Sequence, residues 1–208
     1  MERVTLPPLE LNYHTTMTIS KEYKEELTRQ HAANPKWGST AAKYAGENVL
    51  HQILINGQVQ DVLDFGCGKG RLSEFIGRFA PNIAVTGYDP GIPGKDIIPP
   101  KRFGLTSSID VFEHIEEEHI DDALRLMAQH TKYTLLLDIA CTETGHLFTD
   151  GPYKGQDLHI TLKTPEEWLD RVMSVLGEDF YLSKYSDTTM LHGKELRSRA
   201  TIILNRIY

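Results

Sequence analysis

The chain runs to 208 residues with a formal charge of -7 and 40% hydrophobic residues, which suits a single domain that buries a core. No stretch approaches the roughly 20 apolar residues of a membrane helix, and the opening MERVTLPPLEL lacks a secretion signal, so a cytoplasmic, membrane-free protein is expected. The acidic total argues against a broad nonspecific grip on nucleic-acid phosphates, and the two cysteines, Cys67 and Cys141, lack zinc-site spacing, so reduced thiols and no metal are expected.

In chain order, the first 17 residues show no clear period and are expected to run irregularly. Ser20 suits the N-cap of a polar helix, KEYKEELTRQH, that stops before Pro35. Ser39 or Thr40 suits the cap of a second helix, AAKYAGENVLHQIL, that ends at Asn56-Gly57. VQDVLDFG then reads as a buried strand, and RLSEFIGRFA as an amphipathic helix with Leu72, Phe75, Ile76 and Phe79 on one face. IAVTGYD is the next strand, so residues 59–89 form a β-α-β unit with parallel strands.

The proline-rich GIPGKDIIPPKRFG is expected to be irregular, with LTSSIDVF after it as a third strand. Glu116 to Gln129 is expected to be a helix burying Ile120, Ala123, Leu124 and Met127, and KYTLLLDIA a central fourth strand. Thr164-Pro165-Glu166-Glu167 has the form of a capping box with proline at the first helical position. The helix it opens carries Trp168, Leu169, Val172 and Leu176. DFYLSKYS and SRATIILNRI close the chain as two antiparallel strands. The sum is one α/β domain, with residues 1–57 as a helical extension or lid and 58–208 as the core.

The richest stretch is VLDFGCGKG, Val62 to Gly70. A glycine turn at the end of a parallel strand lets a ligand approach the backbone, because no Cβ stands in the way. Lys69 is followed by Gly70 rather than Ser or Thr, so the P-loop pattern fails. The dinucleotide pattern would need a third glycine where Arg71 stands. Asp89 ends the next strand, nineteen residues past Gly70, where a carboxylate can accept both hydroxyls of a ribose.

These residues resemble the class I S-adenosylmethionine-dependent methyltransferases. VLDFGCGKG is similar to their first motif, VTGYDP to their second, and SSIDVFEHI to the fourth motif of the small-molecule branch. HAANPKWGST and GQDLHITLKTPEEW also resemble segments of uncharacterised phage and bacterial members. The resemblance implies a Rossmann-like open twisted sheet, mostly parallel with an antiparallel C-terminal strand, and helices on both faces. It further implies S-adenosylmethionine as cofactor. Asp64, Phe65, Gly66, Cys67, Gly68 and Gly70 would sit around its methionine part, Asp89 and Pro90 at its ribose, and Asp110 beside the sulfonium. Trp37 and Gly38 would close over it. Only twenty residues separate Asp89 from Ile109, so the family's strand and helix after the second motif are expected to be reduced. The adenine ring would then fall to Ile92, Pro93 or Thr106 to Ser108.

Methyl transfer from a sulfonium is an in-line displacement governed mostly by positioning, with a base needed only when the acceptor loses a proton. His114 and His159 are the candidate bases, and His146 lies in the same region. Glu113 would orient a partner or cap the next helix, and Glu116 to Glu118 would be a solvated helix start. The motifs that amino-methylating and C5-methylating DNA enzymes use are absent from the sequence. The loop from Cys141 to Asp157, together with the N-terminal helices, would therefore receive a small polar molecule, or a modified sugar or nucleotide. A cofactor-binding protein without transfer activity and a nucleotide- or nicotinamide-dependent enzyme are the other classes considered. Nothing in the sequence fixes an oligomeric state.

Overall fold

A computed structural model describes residues 18–34, 37, 46–192 and 195–208. Ser20 caps α1 (Lys21–Ala33), its side chain accepting from the Tyr23 amide. α2 (Gly46–Ile55) follows, and the expected caps Ser39 and Thr40 lie outside the described residues. The β-α-β unit consists of β1 (Asp61–Phe65), α3 (Arg71–Phe79) and β2 (Ala84–Tyr88). Then come β3 (Phe103–Ile109), α4 (Ile120–Gln129), β4 (Thr131–Ala140), α5 (Pro165–Leu176), β5 (Phe180–His192) and β6 (Glu195–Arg206).

The six strands form one sheet in the order β2-β1-β3-β4-β6-β5. β1 pairs in parallel with β2 and β3, β3 with β4, and β6 runs antiparallel to both β4 and β5. This is the expected open, mostly parallel sheet. Between Tyr88 and Phe103 the chain forms neither strand nor helix, so β2 stands at the edge and the expected reduction after the second motif is borne out.

Successive strand residues point to opposite faces, and both faces are covered. Val62, Leu136 and Ile203 pack against Val49, Ile53, Leu72 and Ile76 of α2 and α3. Their neighbours Leu63, Leu135, Leu137, Ile202 and Leu204 pack with residues of α1, α4 and α5, where Trp168 is fully buried. Thr164 and Glu167 form the capping box at the start of α5, each side chain satisfying the other's backbone N–H.

α1 is not simply a polar helix. It buries Tyr23, Glu26 and Leu27 and is tied down at its start. The Ser20 amide and hydroxyl both donate to the Glu116 carboxylate, at 2.7 and 2.8 Å, and the Tyr153 hydroxyl donates to the same group at 2.9 Å. Lys24 pairs with Asp96 at 3.1 Å.

Several expectations need correcting. Glu116 is a junction rather than part of a solvated helix start, and the helix begins only at Ile120, after two single 3-10 turns at Phe112–His114 and Glu117–His119. β3 starts two residues earlier than expected and ends before Asp110, because the left-handed backbone at Asp110 turns the chain away. Phe79 is 61% exposed, since α3 presents only Leu72 and Ile76 fully to the sheet. β5 and β6 run well beyond the segments expected, through DTTMLH and ELR.

Candidate functional site

The turn after β1 is built from glycines in left-handed conformations: Gly66 at φ 78°, Gly68 at 48° and Gly70 at 84°. A Cβ on Gly66 would overlap the methyl groups of Val111, so only hydrogen fits there. The turn's amides, however, are spent inside the protein. Gly66 and Cys67 donate to the Tyr88 carbonyl at 2.7 and 2.9 Å, and Gly68 donates to Asp89 at 3.0 Å. What these three residues offer a ligand is bare Cα surface rather than free N–H groups, and all three line the cavities described below. Gly70 lines neither cavity described below; it starts α3.

Asp89, at the end of β2, is buried and accepts from Gly68 and, at 2.9 Å, from the Gly91 amide. His31 of α1 lies over it, with Nε2 3.7 Å from the carboxylate. Burial holds the His31 imidazolium below the usual range, with Asp89 pulling the other way. Asp64, buried one strand over, is raised to about 7 by burial and then by the charge of Asp89. Burial likewise pushes the Cys67 thiol up to about 12, which fits an inert thiol rather than a nucleophile.

The fourth-motif segment turns back over this floor. Glu113 is fully buried, with one oxygen accepting from the Ala140 amide at 3.2 Å. It neither caps a helix nor meets solvent, contrary to one expected role. Burial, then the charge of Asp110, raises its carboxyl above the usual range. His114 Nδ1 donates to the Leu158 carbonyl at 2.7 Å, and His159 Nδ1 donates to the Thr142 carbonyl at 2.5 Å. Their rings meet edge to face, 4.9 Å apart. Burial lowers both histidines, which keeps the imidazoles neutral. His146, by contrast, is exposed.

Asp110 sits beside this group at φ 54°, its amide donating to the Asp138 carbonyl at 3.0 Å. Arg199 of β6 joins it to the sheet, pairing with Asp110 at 2.7 Å and with Asp138 through Nε at 2.7 Å, while Thr201 donates to Asp138 at 2.9 Å. Sequence reasoning missed this network. Its available signal was one acid, Asp138, inside the otherwise apolar run TLLLDIA.

Two cavities share Trp37, Gly66, Asp110 and His114 in their walls. The smaller, about 70 Å³, lies beside Asp89, Pro90 and Phe65, with Ile19, Leu27 and His31 from the N-terminal segment opposite. The larger, about 830 Å³, reaches Asp64 and Cys67 and is walled by His114, His159 and the loop after β4, including Thr142 and His146. It also touches Met190, Leu191 and Arg197 of the β5–β6 ribbon, which the sequence reading did not assign to the site. Trp37 stacks on His31 at 5.5 Å and stands 6.0 Å from the His114 ring, in the wall shared by the two cavities. Gly38 lies outside the described residues. Thr106, Ser107 and Ser108 are buried within β3 and, like Ile92 and Pro93, line neither cavity, while Pro90 and Val111 line the smaller one.

Residues 30–174 match a family model described as a methyltransferase domain. No curated protein sequence matches the chain. Among solved structures, the chain is similar to the N-methyltransferase NodS from Bradyrhizobium japonicum WM9 in complex with S-adenosylhomocysteine, with a TM-score of 0.59 and 14% identity over 90% of this chain and 100% of that one. It is also similar to the 1,6-didemethyltoxoflavin-N1-methyltransferase of Burkholderia thailandensis, at TM-score 0.54 and 15% identity, covering 100% of this chain and 94% of that one. The magnesium protoporphyrin IX methyltransferase of Synechocystis PCC 6803 matches at TM-score 0.53 and 15% identity, over 78% of each chain. Among the described residues, no helix is long and apolar enough to cross a membrane.

Proposed function

The chain belongs to the methyltransferase-domain family, and from that premise we propose that it transfers a methyl group from S-adenosylmethionine to a small polar molecule, or a modified sugar or nucleotide, held in the larger cavity. The observation that carries this reading is the bare left-handed turn after β1 beside the buried carboxylate that ends β2. The residues suit the cofactor. A carboxylate offers about four acceptor positions, and Asp89 uses two of them on Gly68 and Gly91, leaving capacity for a ribose diol. Asp64, facing the larger cavity, would hold the cofactor's ammonium group, and Asp110 and Gly66 lie where the two cavities meet. The smaller cavity is far below the roughly 300 Å³ at which ligand pockets begin, so Trp37 and His31 move aside when the adenosine enters. The structures of NodS and of the toxoflavin enzyme, which hold S-adenosylhomocysteine, support this reading by analogy of fold.

Positioning carries most of such a transfer. His114 and His159, neutral and fixed through Nδ1, present their Nε2 atoms as proton acceptors for an acceptor group that ionises. Calorimetry with S-adenosylhomocysteine, NAD and ATP tests the reading. Heat with S-adenosylhomocysteine alone is expected, and heat only with NAD or ATP would overturn it. Asp89→Asn, which removes the charge and one acceptor, is expected to weaken S-adenosylhomocysteine binding by about 1–3 kcal/mol. Unchanged affinity in that variant would remove Asp89 from the ribose.

A proton linkage follows from Asp64. Its carboxyl is raised to about 7, and an ammonium partner requires it ionised. Binding at pH 6 should therefore release close to one proton, and affinity should climb about tenfold from pH 6 to pH 8. Calorimetry in buffers of different ionisation enthalpy measures both quantities. A pH-independent affinity in the wild type would place the ammonium elsewhere.

A further inference from the structure

The geometry points to a binding site for a borderline divalent transition cation, of the Zn²⁺ class, formed by His114 and His159 on the wall of the larger cavity and the buried Glu113 behind them. One ligand atom from each of these side chains lies within 4.8 Å of the others. Ligands about 2.1 Å from a tetrahedral ion stand about 3.4 Å apart, so small side-chain rotations close the set. The Glu113 carboxylate and His159 Nε2 are already 3.9 Å apart.

Two independent features favour a cation here. Both imidazoles donate Nδ1–H to backbone carbonyls, of Leu158 and Thr142, which fixes the ring orientation and leaves Nε2 with its lone pair, the arrangement of metal-bound histidines. Glu113 Oε2 is buried and finds no hydrogen-bond partner, a costly state that a cation would relieve.

Two imidazoles and one carboxylate suit zinc and its neighbours better than Mg²⁺ or Ca²⁺, which take oxygen ligands. Three protein ligands also leave a coordination position open, as in catalytic rather than structural zinc sites. Both histidines line the larger cavity, so that position faces the space assigned to the acceptor. Resting on the methyl-transfer reading, the ion would hold an oxygen or nitrogen donor of the acceptor, and with it bound the two Nε2 lone pairs would be its ligands rather than proton acceptors.

Cobalt titration of the chelator-treated, full-length protein tests the site, because Co²⁺ reports its ligands through visible absorption. One saturable cobalt per chain is expected, with affinity falling at least tenfold in His159→Ala and in Glu113→Gln. Circular dichroism and urea unfolding check that each variant is folded, and S-adenosylhomocysteine calorimetry on the same samples tests the methyl-transfer reading separately. No saturable spectrum in the wild type, or a spectrum that persists undiminished in folded His159→Ala, would overturn the site. Cobalt binding that follows the variants in a protein with no affinity for S-adenosylhomocysteine would uphold the site and sink the cofactor instead.

Discussion

Gly66→Ala is expected to lower the unfolding free energy by about 2–4 kcal/mol and to weaken S-adenosylhomocysteine binding at least tenfold. Two costs combine. Gly66 sits at φ 78°, where an L side chain carries about 1–2 kcal/mol of strain. The added methyl also overlaps Val111, which packs against the turn and lines the smaller cavity, so Val111 must shift toward the space the adenosine would use. The second cost can be isolated. Val111→Ala removes the two methyl groups in the way, so Gly66→Ala/Val111→Ala should recover the overlap term and leave the backbone strain. Urea unfolding of the four proteins in this cycle measures the coupling. A double variant no better than the sum of its parts would show that Val111 is not the obstacle.

Asp138→Ala should cost about 3 kcal/mol of stability. Asp138 is buried within the central strand β4 and accepts from Arg199 and Thr201. Removing one partner of a buried pair leaves an uncompensated charge, a loss of about 3–5 kcal/mol in general. The low end applies because Arg199 keeps Asp110 at 2.7 Å. Asp138→Asn retains a carbonyl acceptor and is expected to lose only about 1 kcal/mol. Denaturant midpoints decide it, and an alanine variant within 1 kcal/mol of the wild type would mean that the network contributes little to the fold.

Much of the architecture was legible where periodicity was strong. The β1–α3–β2 unit, the buried stripe of α4 and the Thr164 capping box follow from local spacing, and each element formed close to where the pattern placed it. The ribbon of β5 and β6 read short because its outer part is half solvated, with Met190, Leu191 and Leu196 exposed, so no buried face marks it as strand. The candidate site was legible by residue type more than by arrangement. The glycines and Asp89 stood out, yet that the turn's amides would go to Tyr88 depends on contact with a different strand. Glu113 shows the limit most clearly. In EHIEEE it reads as a residue that orients a partner or caps the next helix, and only the Ala140 amide, 27 residues on, reveals it as buried.

The position of β2 at the sheet edge has a consequence for how a cofactor would come and go. Where a further strand and helix would fence the pocket, the fence here is the chain's own opening segment: Thr18, Ile19, Leu27 and His31. That segment is held by Ser20 on Glu116, by Lys24 on Asp96, by Lys69 donating to the His31 carbonyl, and by the burial of Ile19, Tyr23 and Leu27. On the proposed reading a cofactor would pass this segment rather than the sheet, and loosening those contacts would alter the traffic of the ligand while leaving the strands in place.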